Sequence, residues 1–540
     1  MKFVWEDAEN AFTNQYILND EQFMPFFDYS LKEDALLKRY HEIQSRSYQR
    51  RNIVEVLTQY NKQFSEDEAI YASIEKLKDD RSVTVVGGQQ AGLLTGPIYT
   101  INKIISILKT ARRVENEHGI PVVPIFWMAG EDHDIDEVNH TFIHNQENIK
   151  KLNISERNDL KTPVSERFIS ADDGKKVVDE LFQFLNETEH TRELYHQLTN
   201  DVKDGLTYVE WCARILHRLF EGTGLVLMDA ACPQIRQIEQ PFFKELIKKN
   251  DELRGAFIEG ANNFKRKNFG EPIAIEESNA HLFVHYQGQR FLLSKNNGVF
   301  TDKNRSKTWT EDELLEMVDK DPSCISNNVV TRPLMQDFLL PVLSFVAGPG
   351  EIKYWATLKE AFHTFNINMP IVEPRLHITF VSRPVEKNLI KVGVNHKAVA
   401  LNGLSNKKQQ WLKSKEKAPY KTEIENARMQ MDEIFSHLSS TFKEYGKEYE
   451  LLREKYRNKA EDQFVELEKK FEAKLLQENE AGIRRFDLVE SEIKPNGNPQ
   501  ERYLNIHSFL NLYGPDLIQR VVSEIPSEDN YAGTHAFIYL

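Results

Sequence analysis

Cysteine is nearly absent: Cys212, Cys232 and Cys324 are the only three in 540 residues, far apart and without a CxxC pair. That excludes a disulfide framework and a thiolate zinc ribbon, and it suits a reducing compartment. No apolar run approaches the roughly 20 residues of a membrane-spanning helix. The opening "MKFVWEDAENAFTNQY" carries acids where a secretory signal needs a basic flank and an apolar stretch. A cytoplasmic protein with no membrane partner is expected. Positive charge is also short, with 69 Lys and Arg against 83 Asp and Glu and a net charge of -14, which argues against nucleic acid as the partner. Internal repeats, long low-complexity tracts, a GxxxxGK[ST] phosphate loop and an HExxH metal motif are missing as well. What remains is a chain with 40% hydrophobic and 28% charged residues, which reads as globular and is long enough for more than one domain.

The pattern along the chain divides it into four parts. Residues 1 to 80 read as mostly helical and polar, a segment packing on the core. From 81 to 380 the rhythm is that of an α/β fold. "SVTVV", the glycine-rich "GGQQAGLLTG", a helical "PIYTINKIISILKTARRVENEHG" and the apolar "IPVVPIFWM" form a strand, helix, strand unit, which favours a parallel sheet. Pro97 suits the first turn of that helix and Gly119 its end. "GLVLMDA", "LPVLSFVA" and "MPIVEP" read as later strands. Insertions are expected near 141 to 210 and 255 to 325, the second a β-hairpin marked by the Gln-Gly and Asn-Gly turns of "HLFVHYQGQRFLLSKNNGVFTD". Residues 381 to 493 carry apolar positions at three- and four-residue steps from Ile424 to Leu475, the mark of a helical coiled coil. Gly446 interrupts them, so a helical hairpin with its tip there competes with a continuous rod, and any apolar stripe left over would make a homodimer. Residues 494 to 540 return to the core.

Ligands of open parallel sheets bind where strand ends meet helix starts. Three loops here have that grammar and predict one cleft. In the first, Gln89 and Gln90 can hold a polar ligand, Gly92 and Gly96 permit close backbone approach, and Thr95 can cap the following helix. The loop is read as a ligand-binding unit. The second, "PIFWMAGEDHDIDEVNH", gathers Glu131, Asp132, His133 and Asp134 as candidate acid, base or contacts to hydroxyls and amines, with His133 as general base and Asp132 or Asp134 orienting it. If helical from Asp136, it would place Asp136 and His140 on one face. Zinc is open to these oxygen and nitrogen donors, but nothing indicates it and no metal ligand is assigned. The third, "VVTRPLMQDFLLPVLSFVAGPGEIKYW", offers Arg332 as a fork for a carboxylate or phosphate, Gln336 one helical turn later, then Gly350, Glu351 and Tyr354, with Arg375 at the next strand end. A separate nucleotide site is expected in "KPNGNPQERYLN". There Asn498 and Pro499 would be helix cap and first turn, and Lys494, Arg502 and Tyr503 would flank them. The cysteines read as structural.

GGQQAGLLTGPIYTINKI, PIFWMAGEDHDIDEVNH, RPLMQD, AGPGEIKYW and PNGNPQERYLNI, in this order and over nearly the whole chain, resemble the bacillithiol biosynthesis cysteine-adding enzymes. The resemblance implies a Rossmann-like core related to class I aminoacyl-tRNA synthetases, with inserted connecting segments and a dimerising coiled coil. It implies a ligase that joins cysteine to the amine of glucosaminyl malate in the last step of bacillithiol synthesis, with ATP as activating nucleotide. His133 would serve as base or orient the sugar, and Arg332 would hold the malate carboxylates. The synthetase HxGH and KMSKS motifs are absent, so AMP and ADP both remain open as products. Two other classes stand beside it: a nucleotide-binding scaffold or regulatory coiled-coil protein, and a metal-dependent hydrolase built on GEDHD.

Overall fold

The computed structural model describes every residue except 9, 147, 157–160, 303–305 and 527–531. It falls into two compact units, residues 1–381 with 498–540, and residues 382–497.

The first unit is built on five strands: β1 Val83–Gln89, β2 Val122–Met128, β3 Val226–Asp229, β4 Val342–Ala347 and β5 Ile371–Pro374, in the order β5-β4-β1-β2-β3. Every neighbouring pair is parallel. Read from the other edge this is the Rossmann order 3-2-1-4-5. The strands are buried along nearly their whole length, which is why they read as unbroken apolar runs rather than alternating ones. Helix α1, Tyr99–His118, makes the crossover from β1 to β2 and ends at Gly119, whose φ of 63° is the left-handed cap that glycine allows. Chain direction across the sheet reverses between β1 and β4, so their C-terminal ends open a crevice.

Both insertions are present as structure. A hairpin of His140–Asn145 and Asn148–Asn153 leads into helices Ala171–Phe184 and Thr191–Asp201. The other insertion is a five-stranded antiparallel sheet whose central strands are Asn279–Tyr286 and Gln289–Asn296, with Ile325–Asn327 on one edge. Its two tight turns fall at Gln287–Gly288 and Asn297–Gly298, all four residues at positive φ, the mirror-image turn geometry that matches strand twist.

The mostly helical reading of residues 1 to 80 needs correction at its start. Lys2–Asp7 is a strand, antiparallel to Thr534–Tyr539, which in turn lies parallel to His377–Val381. Six residues of weak alternation are a strand only because a partner over 500 positions away completes it. Pro97 also lies before the helix rather than in its first turn.

In the second unit, helices Tyr420–Tyr445 and Lys447–Glu478 form a hairpin that turns at Gly446, φ 105°. The hairpin, not the rod, is the form adopted. Tyr420 stacks on Phe471 with ring centroids 4.2 Å apart, and Arg428–Glu461, Asp432–Arg457 and Lys421–Glu472 bridge the helices. Along the hairpin Ile434, Leu451, Tyr456 and Leu467 remain exposed.

Candidate functional site

The crevice at the switch point is a cleft of about 550 Å³ lined by Gly88 and Gln89 of β1 and Gln90 just after it, Ala129, Glu131, Asp132 and Glu137 after β2, and Arg332, Glu351 and Tyr354 beside β4. Phe283, Arg290, Leu292 and Asn327–Val329 of the antiparallel insertion wall it. Another cavity, of about 500 Å³, lies beside the N-terminal halves of β4 and β5; there Arg113 is already paired with Glu373 at 2.9 Å.

The glycine-rich loop divides in two. Its first half serves the cleft: Gln90 Nε2 donates to Asp132 Oδ2 at 2.7 Å and Glu137 Oε2 at 2.6 Å, tying the β1 loop to the β2 loop. Gln89 Oε1 accepts from Lys103 Nζ at 3.1 Å. The second half is structural. A Cβ on Gly92 would sit 2.9 Å from the Cα of Gly96, so the turn closes only with glycine. Asn505 Nδ2 braces it by donating to the carbonyls of Leu94 at 2.9 Å and Gly96 at 2.8 Å. Thr95 does not cap α1: it is buried at φ 74°, and among the described residues its hydroxyl has no partner and the helix no side-chain cap. Gly92, Thr95 and Gly96 therefore lie outside the cleft lining.

In the β2 loop the ionisable side chains diverge. Glu131 is buried and paired with Arg236, which also donates to Glu239 at 2.8 Å. Asp132 faces the cleft. Burial would raise its pKa, but Arg290, the Gln90 amide and the His133 N–H together hold it below the usual carboxylate range. His133 turns to the insertion: its Nδ1 lies 3.2 Å from Arg290 Nη1. Arginine only donates, so Nδ1 accepts and the ring proton sits on Nε2. Burial first, then Arg290, push its pKa down. His133 thus has no free basic nitrogen, which corrects its reading as a base oriented by a neighbouring aspartate; Asp132 Oδ1 instead accepts from its backbone N–H at 2.7 Å. Asp134 is exposed, ahead of a helix of only four residues, Ile135–Val138, and His140 starts a strand, so Asp136 and His140 share no helical face. Among the described residues no three His, Cys, Asp or Glu side chains converge as metal ligands.

Two further loops close the β4 side. Arg332 is the second residue of helix α2, Thr331–Leu339, and donates to the Tyr354 hydroxyl at 2.6 Å. A Cβ on Gly88 would stand 3.1 Å from Arg332 Nη1, so that glycine gives the guanidinium its place over β1. Helix α3, Pro349–Trp355, is opened by Glu351, whose Oε2 accepts from Gly348 N at 2.7 Å and Lys103 Nζ at 2.6 Å. Lys103 also donates to the Gly88 carbonyl at 2.6 Å. Its ammonium is thus consumed inside the wall. Gln336 is buried with neither amide atom partnered among the described residues, but lines no part of the cleft, and neither does Gly350.

Arg375 is not a cleft residue. It donates to both carboxylate oxygens of Glu501, at 2.7 and 2.8 Å, and Glu501 also takes contacts from His377 Nδ1 and Asn102 Nδ2 at 2.8 Å. Burial opposes that charge, but Arg375 and His377 hold its pKa well below the ordinary value. The second-site residues do not form a helix start either. The N-cap of the four-residue helix Gln500–Tyr503 is Pro499, with Asn498 one position earlier, Arg502 is exposed, and Tyr503 stacks on Phe142 at 4.3 Å. Lys494 belongs to the other unit, where it donates to the Leu401 carbonyl.

Residue patterning did not reveal Arg290, Phe283 and Asn327, which come from the insertion and reach the cleft only through the fold. Burial also raises the thiol pKa of all three cysteines, to about 12 for Cys212 and Cys324.

Two family models cover the chain. The bacillithiol biosynthesis BshC N-terminal Rossmann-like domain matches residues 2–376, and the BshC C-terminal coiled-coil domain matches residues 378–540. A protein of Bacillus licheniformis named "Putative cysteine ligase BshC" is 37% identical over 513 residues, covering 95% of each chain. One of the same name from Bacillus cytotoxicus is 35% identical over 525 residues and 97% of each chain. With a Rossmann-like domain matched first and a coiled-coil domain after it, this chain belongs to the BshC family of bacillithiol biosynthesis proteins.

Proposed function

We propose that the protein is a carbon-nitrogen ligase that joins the carboxyl of cysteine to the amine of glucosaminyl malate, the last step of bacillithiol biosynthesis. The observation that carries the reading is the polarity of the cleft: carboxylates of Asp132 and Glu137 on the β2 side, the Arg332 fork on the β4 side. A ligase of this kind must hold an amine and carboxylates in one enclosed space. Asp132, kept anionic, suits an ammonium, and Arg332 suits a carboxylate bidentately. Gln90 sets the two acidic side chains, and Tyr354 orients the guanidinium.

Amide formation from a free carboxylate is uphill in water, so the reading includes ATP, which would turn a carboxylate oxygen into a leaving group. Lys103 is not free for its phosphates, since Glu351 and the β1 backbone engage its ammonium. The sugar ammonium would first give a proton to solvent; its nitrogen then bonds to the cysteine carboxyl carbon as the bond to the activated oxygen breaks, that oxygen leaving with its phosphate or adenylate and the second amine proton passing to water. A pairing of two copies through the helical hairpin is part of the proposal, supported by exposed Ile434, Leu451, Tyr456 and Leu467. The hydrolase reading has less support, because the GEDHD side chains part company instead of meeting.

The test is a mass-spectrometric assay of purified protein with ATP, cysteine and glucosaminyl malate, following bacillithiol together with AMP and ADP. Product with AMP marks adenylation, product with ADP an acyl phosphate, and a folded protein that makes neither product sinks the ligase reading.

A further inference from the structure

Asn327 ends the short edge strand Ile325–Asn327, where it pairs with Leu282. Its carbonyl accepts from Arg290 Nη2 at 2.5 Å, so the backbone is fixed. Its side chain is another matter. The residue is 1% exposed and lines the cleft, yet neither Oδ1 nor Nδ2 has a partner among the described residues. The adjacent Asn328 shows the contrast. Its Oδ1 accepts from Val330 N at 2.8 Å and Thr331 N at 3.2 Å, and its Nδ2 lies 3.1 Å from His281 Nδ1. One amide builds the turn, and its neighbour, in a residue that lines the cleft, is left with a donor and an acceptor that none of the described residues meets.

A buried amide without partners destabilises a fold and calls for an explanation; Gln336 is a second such amide, but it lies away from the cleft, whereas Asn327 lines it. An aliphatic side chain would fill the same place at no such penalty. We propose that Asn327 is a specificity residue that reads a vicinal diol, the 3- and 4-hydroxyls of the 2-amino sugar acceptor, accepting from one hydroxyl and donating to the other. The assignment rests on the ligase reading above. An amide's adjacent, coplanar donor and acceptor match two neighbouring hydroxyls, each of which can give or take a hydrogen bond. A purine edge could use the same pair, but Phe283, the ring on this wall, already carries the Arg290 guanidinium 3.7 Å from its centroid. That face offers a base nothing to stack on.

The experiment is calorimetric titration of the full-length protein with glucosaminyl malate and its 3-deoxy and 4-deoxy analogues, for wild type, Asn327→Ala and Asn327→Leu, with KM values for the sugar and for cysteine alongside. Wild type should bind each deoxy analogue at least about tenfold more weakly than the parent, the scale expected when a site built for a hydroxyl loses it. Asn327→Ala should bind the parent at least about tenfold more weakly too, be indifferent to the missing hydroxyls, and keep its KM for cysteine. Asn327→Leu should raise the thermal midpoint while losing sugar affinity, a pairing that a purely structural asparagine would not show. Wild type indifferent to both hydroxyls overturns the assignment without any variant. So does an Asn327→Ala protein that still discriminates the analogues, and both results leave the ligase reading untouched. Sugar binding with the expected pattern but no amide product would sink the ligase reading alone. No sugar binding by wild type overturns both.

Discussion

Arg332, in the first turn of α2 ahead of β4, and Arg375, just past β5, flank neighbouring strands of one sheet, and in sequence they look alike. The structure gives them opposite tasks. Arg375 is closed into a fork with Glu501, backed by His377 and Asn102. Arg332 donates to a neutral tyrosine hydroxyl and lines the cleft. A buried guanidinium held by a carboxylate ties a fold together; one facing a cleft beside a phenol is set for an outside anion. The distinction depends on which carboxylate comes back from more than 120 residues away, so no local pattern could carry it.

The sharpest way to break this comparison is to remove Glu501. Glu501→Ala leaves Arg375 buried without its counter-charge and should destabilise the first unit by about 3–5 kcal/mol in urea unfolding. If it unfolds no more readily than wild type, Arg375 is not a structural arginine. Next in size, Arg332→Ala should lower kcat/KM for ligation about 100-fold or more, with a much smaller change in the unfolding midpoint. Arg332→Lys should recover little, because a point charge does not replace a planar fork. Gly88→Ala adds a Cβ 3.1 Å from Arg332 Nη1 and 3.2 Å from the Trp127 carbonyl, and should cost about 1–3 kcal/mol in stability as well as activity. Activity as high as wild type would show that the guanidinium tolerates displacement.

The smallest effect expected is at His133, and it sharpens the assignment of the β2 loop. His133→Gln should change rate no more than about tenfold, or 1.4 kcal/mol. It should also leave the acid limb of the pH-rate profile in place; loss of that limb would return His133 to the role of base. Its folded pKa is lowered, so the native state resists a proton that the unfolded chain accepts. Stability should therefore fall as pH drops below about 6.5, where the unfolded histidine takes up its proton. His285 and His281, each pushed down to about 3 by burial, act in the same direction through that range. Removing His133 should flatten the slope slightly.

Much of the fold was legible. Unbroken apolar runs marked the parallel strands, Gly119 the end of α1, Gln287–Gly288 and Asn297–Gly298 the insertion turns, and three- and four-residue spacing the helical hairpin. The cleft was legible in its sheet-side half, since strand ends in this topology must carry it. The roof was not: Arg290 and Asn327 sit in strands whose alternation looks ordinary, and only the docking of the insertion brings them to β1. Thr95 failed for a related reason. A threonine ahead of a helix reads as a cap, but Asn505, from more than 400 positions away, already holds that turn in a backbone shape that points elsewhere.

The strand Lys2–Asp7 has a consequence for how the molecule is made. Its hydrogen-bonding partner is Thr534–Tyr539. During synthesis the five strands of the central sheet are all available once residue 374 has emerged, while this first strand must wait for residue 534 and beyond. The nascent protein therefore carries a nearly finished Rossmann-like core with an unpaired strand at its start, until the emergence of Thr534–Tyr539 supplies the cover. A truncation ahead of residue 534 would act at the opposite end of the sequence, leaving an open strand ready to pair with another chain.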